Sequence, residues 1–353
     1  MDKRYFSDKI VKWYENNKRQ LPWRETNDPY KIWLSEIILQ QTRVIQGLPY
    51  YLRFIGKFPT VDALAAASEQ EVLRLWQGLG YYTRARNLHK CAREVVENHQ
   101  SVFPATFEAL KNLRGIGEYT AAAIASISYK EKVAVVDGNV FRVLSRVFGI
   151  DKEINSPEGK RAFTTLANTL IGPDNPDIHN QAMMEFGALY CTPKSPACGQ
   201  CIFREGCFAA NKNLQHLLPI KAKNKKQRKR YFYYFVIRKG KSILMKKREG
   251  KDIWNGLYDF YQIESQKPGK VESIVQEFNE ENSYEIQTEN VQVSPPYKHV
   301  LTHQIIFSRF ITVDVPSTFE LSGGSFKFYS ARKIASLPKP VLIDRFLADS
   351  EIL

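Results

Sequence analysis

From residue 1 to about 215 the apolar positions recur at spacings of three and four, as in VDALAAASEQEVLRLWQGLG, NLHKCAREVVENH and TFEALKNL, with Gly or Pro at the breaks. That period predicts one amphipathic helix after another. After Arg230 it gives way to short β-branched and aromatic runs, YFYYFVIRKG, KSILMKKR, YEIQTENVQVS and HQIIFSRFITVDV, separated by Gly, Asn and Pro turns. Between the two lies KAKNKKQRKR, with no apolar residue larger than Ala. The expected organisation is a multi-domain chain: an all-α domain over 1–220, a basic linker over 221–230, and a smaller α+β domain over 231–353. No internal repeat is visible.

A chain of 353 residues with 43% apolar content is long enough for two or three cored domains. The formal charge of +14 suits a polyanionic partner, and half of that excess sits in Lys221–Arg230. The basic run reads equally as a solvated charge stretch or as a tether that tracks phosphates. No stretch approaches the roughly 20 apolar residues of a membrane span, and MDKRYFSDKI lacks the apolar core of a secretory signal. The expected setting is therefore cytoplasmic, in a reducing, bacterial-type, nucleoid-associated environment, with no membrane and as a monomer.

In such a compartment, clustered cysteines favour metal ligation over disulfides. Cys191, Cys198, Cys201 and Cys207 follow C-x6-C-x2-C-x5-C. Zinc sites usually pair their ligands as two short clips, and only one such clip exists here, so a [4Fe-4S] cluster is favoured over tetrahedral zinc. Cys91 falls in a helical pattern and reads as an inert buried thiol.

Residues Thr106 to Lys130 read as helix, turn, helix around LRGIGEYTAA. Gly115 and Gly117 there allow close backbone approach and aim the next helix's amides at a phosphate, although many helix pairs use such glycines only for a tight turn. Asp137 follows an apolar run and precedes an amphipathic helix, which also fits a plain N-cap. In NDPYKIWLSEIILQQTRV, Asp28 and Pro29 open a helix on which Glu36 has Ile32, Trp33 and Leu39 as neighbours. An acid on an apolar face is either paired or held there for a raised pKa. Two carboxyls, one kept protonated and one kept ionised, can divide the tasks of general acid and anionic stabiliser.

The cysteine spacing is similar to that of the endonuclease III and MutY class of base-excision enzymes, and hairpin plus aspartate resembles the helix-hairpin-helix glycosylase signature. LPWR (21–24), WLSEIILQQT, GLGYYTRARNLH (78–89), VDGNV and NQAMMEFGA (180–188) resemble the MutY family of adenine glycosylases. The likeness runs from about residue 20 to 210, with Arg114 where the family usually has Pro. It implies a helix-hairpin-helix subdomain over about 26–134 and an iron–sulfur subdomain from 1–25 plus 135–220. It implies that Lys194 and Arg204 on the cluster loop meet phosphates. Glu36 would protonate adenine and later activate water, and Asp137 would stabilise the sugar cation, assisted by Tyr119 and Asn139. Trp23, Arg24, Leu39 and Gln181 would line the base pocket, while Gln41 and Tyr81 would wedge into the duplex as the base flips. Trp33, Trp76 and Tyr82 read as ordinary core.

The partner implied is double-stranded DNA with adenine opposite 8-oxoguanine or guanine. Tyr119 stands where the bifunctional endonuclease III branch carries a nucleophilic lysine, which implies base removal without strand cleavage; a glycosylase/lyase and a non-catalytic iron–sulfur redox sensor are the alternatives. The C-terminal part is similar to a Nudix-like lesion-recognition domain. VESIVQEFNEENSYEI is read as lacking the REVxEExG-like metal helix, so no pyrophosphatase activity is expected. The family's Phe-Ser-His loop stands here as Leu301, Thr302 and His303: Thr keeps the hydroxyl, but Leu cannot stack as Phe does.

Overall fold

The computed structural model describes all residues except 173, 223–226, 283, 322–324, 351 and 353. The chain forms two compact units, Met1–Ala66 with Asn87–Lys223, and Ala67–Arg86 with Asn224–Leu353. Twelve helices come first: α1 (Lys3–Asn17), α2 (Pro29–Leu39), α3 (Val44–Lys57), α4 (Val61–Ala66), α5 (Glu69–Trp76), α6 (Thr83–His99), α7 (Phe107–Leu110), α8 (Glu118–Tyr129), α9 (Gly138–Phe148), α10 (Pro157–Leu170), α11 (Pro176–Leu189) and α12 (Phe208–Lys212). Strands β1 (Arg228–Lys239), β2 (Ser242–Lys247), β3 (Tyr258–Asp259) and β4 (Tyr261–Ser265) follow, then α13 (Val271–Asn282). The chain continues with β5 (Gln292–Val293), β6 (Tyr297–Val300), β7 (Gln304–Asp314), β8 (Lys327–Ser330), α14 (Ala331–Ser336) and α15 (Val341–Asp349).

In the first unit the helix starts are set by short polar side chains. The carboxylate of Asp2 accepts the Tyr5 amide at 2.8 Å, that of Asp28 accepts the Tyr30 amide at 2.9 Å, and Pro29 fills a first-turn position whose N–H has no partner anyway. α9 ends at Gly149, whose φ of 77° lies in the left-handed region that terminates helices. One apolar core joins α1 to the helices after residue 134: Phe6, Ile10 and Trp13 pack with Val143, Leu144, Phe186 and Phe203. Trp33 and Cys91 are buried, and burial pushes the Cys91 thiol up to about 12, so both are the inert core groups expected.

In the second unit β1 and β7 pair in parallel over their full length, Tyr231 opposite Phe307 and Phe235 opposite Ile311. Strands buried on both faces read as continuous apolar and aromatic runs, which is why Phe232–Ile237 shows no alternation. β4 adds to β1, β6 and β5 to β7, and β2 carries β3 and β8 to extend the sheet. α13 lays Ile274, Val275 and Phe278 on this core. Its other side departs from expectation. Glu277, Glu280 and Glu281 are exposed at spacings of three and four, so the acidic positions of a metal helix are present, with Gln276 in the place of the arginine. Among the described residues, however, no cluster of His, Cys, Asp or Glu is disposed around a single metal ion.

Two further expectations are corrected. Residues 67–86, read as part of the helical domain, belong with the C-terminal unit: Gln77 accepts the Lys339 amide at 3.2 Å, and the Tyr82 hydroxyl donates to the Lys339 carbonyl at 3.4 Å. Trp76 and Tyr82 are core residues there. The basic run is also not all tether. Residues 223–226 lie outside the described residues, but Arg228–Arg230 are the first three residues of β1, and Arg230 is buried. Its guanidinium donates to Asp252 at 2.9 and 2.8 Å and to Glu264 at 2.7 and 2.5 Å. In the sequence Arg230 looks solvated because its carboxylates, Asp252 and Glu264, come 22 and 34 residues later. Among the described residues, no helix is long and apolar enough to cross a membrane.

Breaking a buried charge network strands the remaining partners, here two partly accessible carboxylates. Arg230→Ala is therefore expected to cost about 2 kcal/mol, measured by urea denaturation of the full chain followed by circular dichroism.

Candidate active site

A cavity of about 170 Å3 opens between α2, α8, α11, the head of α9 and the 3-10 turn Pro22–Arg24. Eight of the residues singled out in the sequence line it together: Trp23, Arg24, Glu36, Leu39, Tyr119, Asp137, Asn139 and Gln181. They come from positions up to 158 residues apart.

Glu36 lies on a helix buried from Ile32 to Ile38, so its side chain has little access to water. Burial raises its pKa to about 7; the Asp137 charge adds to the rise, while a hydrogen bond from the Tyr119 hydroxyl and the Arg24 charge oppose it. Tyr119 is itself held well above its ordinary value by burial and by Glu36, so it acts as a neutral donor. The acid that looked misplaced on an apolar face is thus both buried and bonded.

Asp137 is the N-cap of α9 and a wall of the cavity at once, so both readings of it hold. It accepts the amides of Asn139 at 2.8 Å and Val140 at 2.7 Å, and the Asn139 side-chain amide at 2.7 Å. Burial raises its pKa, and these three donors together with Arg142 restrain the rise. Three N–H donors suit a carboxylate; the single hydroxyl at Glu36 suits either state. A proton shared in this cavity therefore rests on Glu36.

α9 also ties the cavity to the cysteine loop through two arginines that the sequence reading did not single out. Arg142 donates to Asn139 Oδ1 at 2.8 Å, to the Gly187 carbonyl at 2.6 Å and to the Cys191 carbonyl at 2.7 Å. Arg146 donates to the carbonyls of Thr192 at 2.7 Å and Leu218 at 3.1 Å, and to Cys191 Sγ at 3.5 Å. Their spacing of four on an amphipathic helix was the available signal.

Cys191, Cys198, Cys201 and Cys207 line one apolar recess with Arg146, Phe186 and Tyr190. Burial and the other three thiols push Cys201 up to about 11, so the four sulfurs are close enough to feel one another. Four thiols lining one recess fit the four cysteine ligands of an iron–sulfur cluster. Lys194 and Arg204 are exposed on this loop.

The hairpin turn before α8 divides its two glycines by role. Gly115 has φ 77°, and a Cβ there would stand 2.8 Å from Asn87 Cβ, so both conformation and space demand glycine. Gly117 caps α8 with an ordinary φ of −95°, and its Cβ position faces open space; the protein itself does not require glycine there. Gln41 and Tyr81 are outside the cavity. Both are exposed and left-handed, φ 56° and 49°, a conformation that costs a non-glycine residue of order 1 kcal/mol and clusters at functional sites. Leu301, Thr302 and His303 form the turn between β6 and β7, closed by the Leu301 amide on the Gln304 carbonyl at 2.8 Å. Within that second unit the Thr302 hydroxyl meets the Tyr81 hydroxyl. Arg19, Met184 and Glu185 line the cavity as well and were not anticipated.

The chain matches the HhH-GPD superfamily of base excision DNA repair proteins over residues 34–168, the iron-sulfur binding domain of endonuclease III over 191–207, and the NUDIX domain over 233–349. It is 32% identical to an adenine DNA glycosylase of Buchnera aphidicola subsp. Schizaphis graminum, over 95% of this chain and 96% of that protein. It is 45% identical to the adenine DNA glycosylase of Rattus norvegicus, over 58% of this chain and 41% of that protein. Among solved structures, a thermostable thymine-DNA glycosylase matches 60% of this chain and 97% of its own with a TM-score of 0.56 at 29% identity. A trapped endonuclease III–DNA covalent intermediate matches 61% and 99% with a TM-score of 0.53; at 21% identity it shows the fold alone. With a helix-hairpin-helix domain, an iron–sulfur motif and a NUDIX-type domain in that order, the chain is a DNA N-glycosylase that acts on DNA and belongs to the adenine DNA glycosylase family.

Proposed function

We propose that the chain excises adenine mispaired with 8-oxoguanine or guanine, with Glu36 as the general acid and Asp137 as the stabiliser of the sugar cation. The observation that carries this reading is the pair of carboxyls in one cavity with unlike partners. Glu36 is held near pKa 7 by burial and touches one hydroxyl; Asp137 is held by three N–H donors. A carboxyl with a pKa near the working pH donates a proton to a ring nitrogen of the flipped base and, once ionised, draws a proton from water. Asp137 faces the charge that develops on the sugar as the N-glycosidic bond breaks.

Trp23, Leu39, Arg24 and Gln181 supply the apolar faces and polar edges that a planar base needs. Gln41 and Tyr81, exposed and strained, act as the wedges that replace the extruded base. Thr302, in contact with Tyr81, presents its hydroxyl to the base opposite, with Leu301 and His303 beside it. The amides at Gly117 take a phosphate, and the chain works as a monomer. Among the described residues none of the cavity lining is a lysine, which supports base removal without strand cleavage, Tyr119 standing in the lysine's place. The second unit reads the lesion and hydrolyses no nucleotide: Glu281 is engaged by the Tyr261 hydroxyl and the arginine position is Gln276.

When bound, the iron–sulfur cluster supplies four covalent links to Cys191, Cys198, Cys201 and Cys207. Those sulfurs fix the loop whose carbonyls hold Arg142 and Arg146, and through Asn139 the position of Asp137.

On a duplex with one adenine opposite 8-oxoguanine, the wild-type chain should leave an abasic site that breaks only on alkali or heat treatment, and Glu36→Gln should lower base release by about a hundredfold or more. Strand scission without treatment, or unchanged release by the variant, overturns the reading; the same assay opposite guanine ranks the two mispairs. Because Glu36 must carry its proton, the single-turnover rate should fall as pH rises through about 7.

The same residue makes a stability prediction. Its folded pKa is raised above the unfolded value, so stability present at low pH is lost as pH rises to about 7. Glu36→Gln removes that loss, and its stability relative to wild type should improve by about 2 kcal/mol between pH 5 and pH 8, read by urea denaturation at both values.

A further inference from the structure

We propose that Glu185 is a positioning residue that locks Arg24 across the base pocket and cancels its charge, so that Glu36 keeps its proton at neutral pH. The inference rests on the general-acid reading of Glu36 and extends it to a residue outside the reacting pair.

Glu185 is 1% exposed, and both of its oxygens are saturated by guanidinium groups. Arg24 approaches with two nitrogens, Nη1 to Oε1 at 2.9 Å and Nη2 to Oε2 at 2.7 Å. Arg19 adds Nε to Oε1 at 2.8 Å, Nη2 to Oε2 at 2.5 Å and its backbone amide at 3.0 Å. Arg24 also donates to the Arg19 carbonyl at 3.0 Å, which fixes the plane of its guanidinium. Paired, fork-like contacts of this kind set orientation as well as energy. Burial alone would raise the Glu185 pKa, but the two arginines outweigh it and hold the carboxyl at about 2, so it is ionised at any working pH.

The position of this cluster gives it a consequence. The titratable or charged groups around Glu36 are Tyr119 on α8, Asp137 at the head of α9, Arg24 in the 3-10 turn, and Arg19 and Glu185 in the same cavity; α3 contributes only Val44 to the lining. Arg24 is the cation in this set that pulls Glu36 towards ionisation. A buried carboxylate with two oxygens on that guanidinium shortens the reach of its field. Without it, an uncompensated cation would face both the acid that must stay protonated and the sugar on which positive charge develops.

The test is the pH dependence of single-turnover base release by the full chain on a duplex with adenine opposite guanine. Glu185→Gln keeps the shape and removes the charge: the basic limb should move to lower pH by on the order of one unit. Glu185→Asp keeps the charge and should leave the limb near its wild-type position whatever it does to the rate. The double variant Arg24→Met with Glu185→Gln removes cation and carboxylate together, and its limb should return towards the wild-type position. Should Glu185→Gln fail to fold by circular dichroism, the double variant, which buries no unpaired guanidinium from Arg24, is expected to fold.

A Glu185→Gln limb at the wild-type position, equal shifts for Gln and Asp, or a double variant as unfolded as the single one would overturn the proposal. Glu36→Gln measured in parallel separates the two readings. If it still releases base, the acid assignment falls; if it is inactive while Glu185→Gln titrates like wild type, the role of Glu185 alone falls.

Discussion

Keeping Glu36 in an apolar wall is the constraint on which the rest of the catalytic unit depends. Burial is the largest cause of the Glu36 pKa near 7, and that burial comes with an α2 that is buried over nearly its whole length. That in turn fixes what may pack around it: Ala-rich α8 on one side, α3 on another, and the Pro22–Arg24 turn across the mouth. Every polar group admitted to this wall then needs a partner, because an orphaned one costs of order 1–3 kcal/mol. Tyr119 is satisfied by Glu36, Asn139 by Asp137 and Arg142, Gln181 by the Tyr14 hydroxyl at 3.0 Å, and the two arginines by Glu185. Each of these polar groups thus has at least one partner within the wall.

The second carboxyl is placed by a different device. Asp137 is fixed by being a helix cap, and α9 is fixed by two buried arginines whose acceptors are mostly main-chain carbonyls, of Gly138, Gly187, the cysteine loop and Leu218, with Asn139 Oδ1 and Cys191 Sγ beside them. Carbonyl acceptors cancel no charge, so these guanidiniums are tolerated only if the carbonyls are rigidly aimed. From 191 to 207 the loop has bends, turns and one short 3-10 helix, little secondary structure with which to be rigid. Four sulfur–iron links would supply that rigidity when the cluster is bound. The cluster's place in the fold is thus at the far end of the helix that carries Asp137.

How much of this the sequence disclosed follows from the range of each interaction. Features carried by neighbours a few residues apart were legible: the cap at Asp28, the acid on the apolar stripe of α2, the cysteine spacing, the glycine turn before α8. Glu185 stands one helical turn after Gln181 on a segment already singled out, so its presence in the cavity was within reach of the same spacing argument. What escaped depended on partners distant along the chain. Arg230 reads as one more solvated cation until Asp252 and Glu264 arrive beside it. The amphipathic pattern of 67–76 announces a helix with an apolar face but carries no information about which core receives it, and the core proved to be that of the C-terminal unit. Gly117 erred in the other direction, since glycine there answers to no contact within the protein.

The charge arrangement of the cavity also explains why a base-excision site can hold two arginines. A cation and an anion about 8 Å from a developing charge are each felt at about 2 kcal/mol when the effective dielectric is about 20. An arginine left alone in the wall would therefore cancel much of what Asp137 contributes to the sugar cation. Bound to Glu185, Arg24 has much of its long-range field offset, and its Nε–H and one Nη2–H are not used by these contacts. Arg19 binds the same carboxylate from a more accessible position, where solvent can screen its remaining charge. Among the described residues, Asp137 has no such arginine fork. Asn139 and two backbone amides hold it by dipoles that leave its negative charge intact, and the nearest guanidinium, Arg142, spends its donors on carbonyls and on Asn139 instead. On the proposed reading, the cavity would separate recognition from catalysis electrostatically: donors whose charge is neutralised would read the base, and one carboxylate whose charge is preserved would meet the cation.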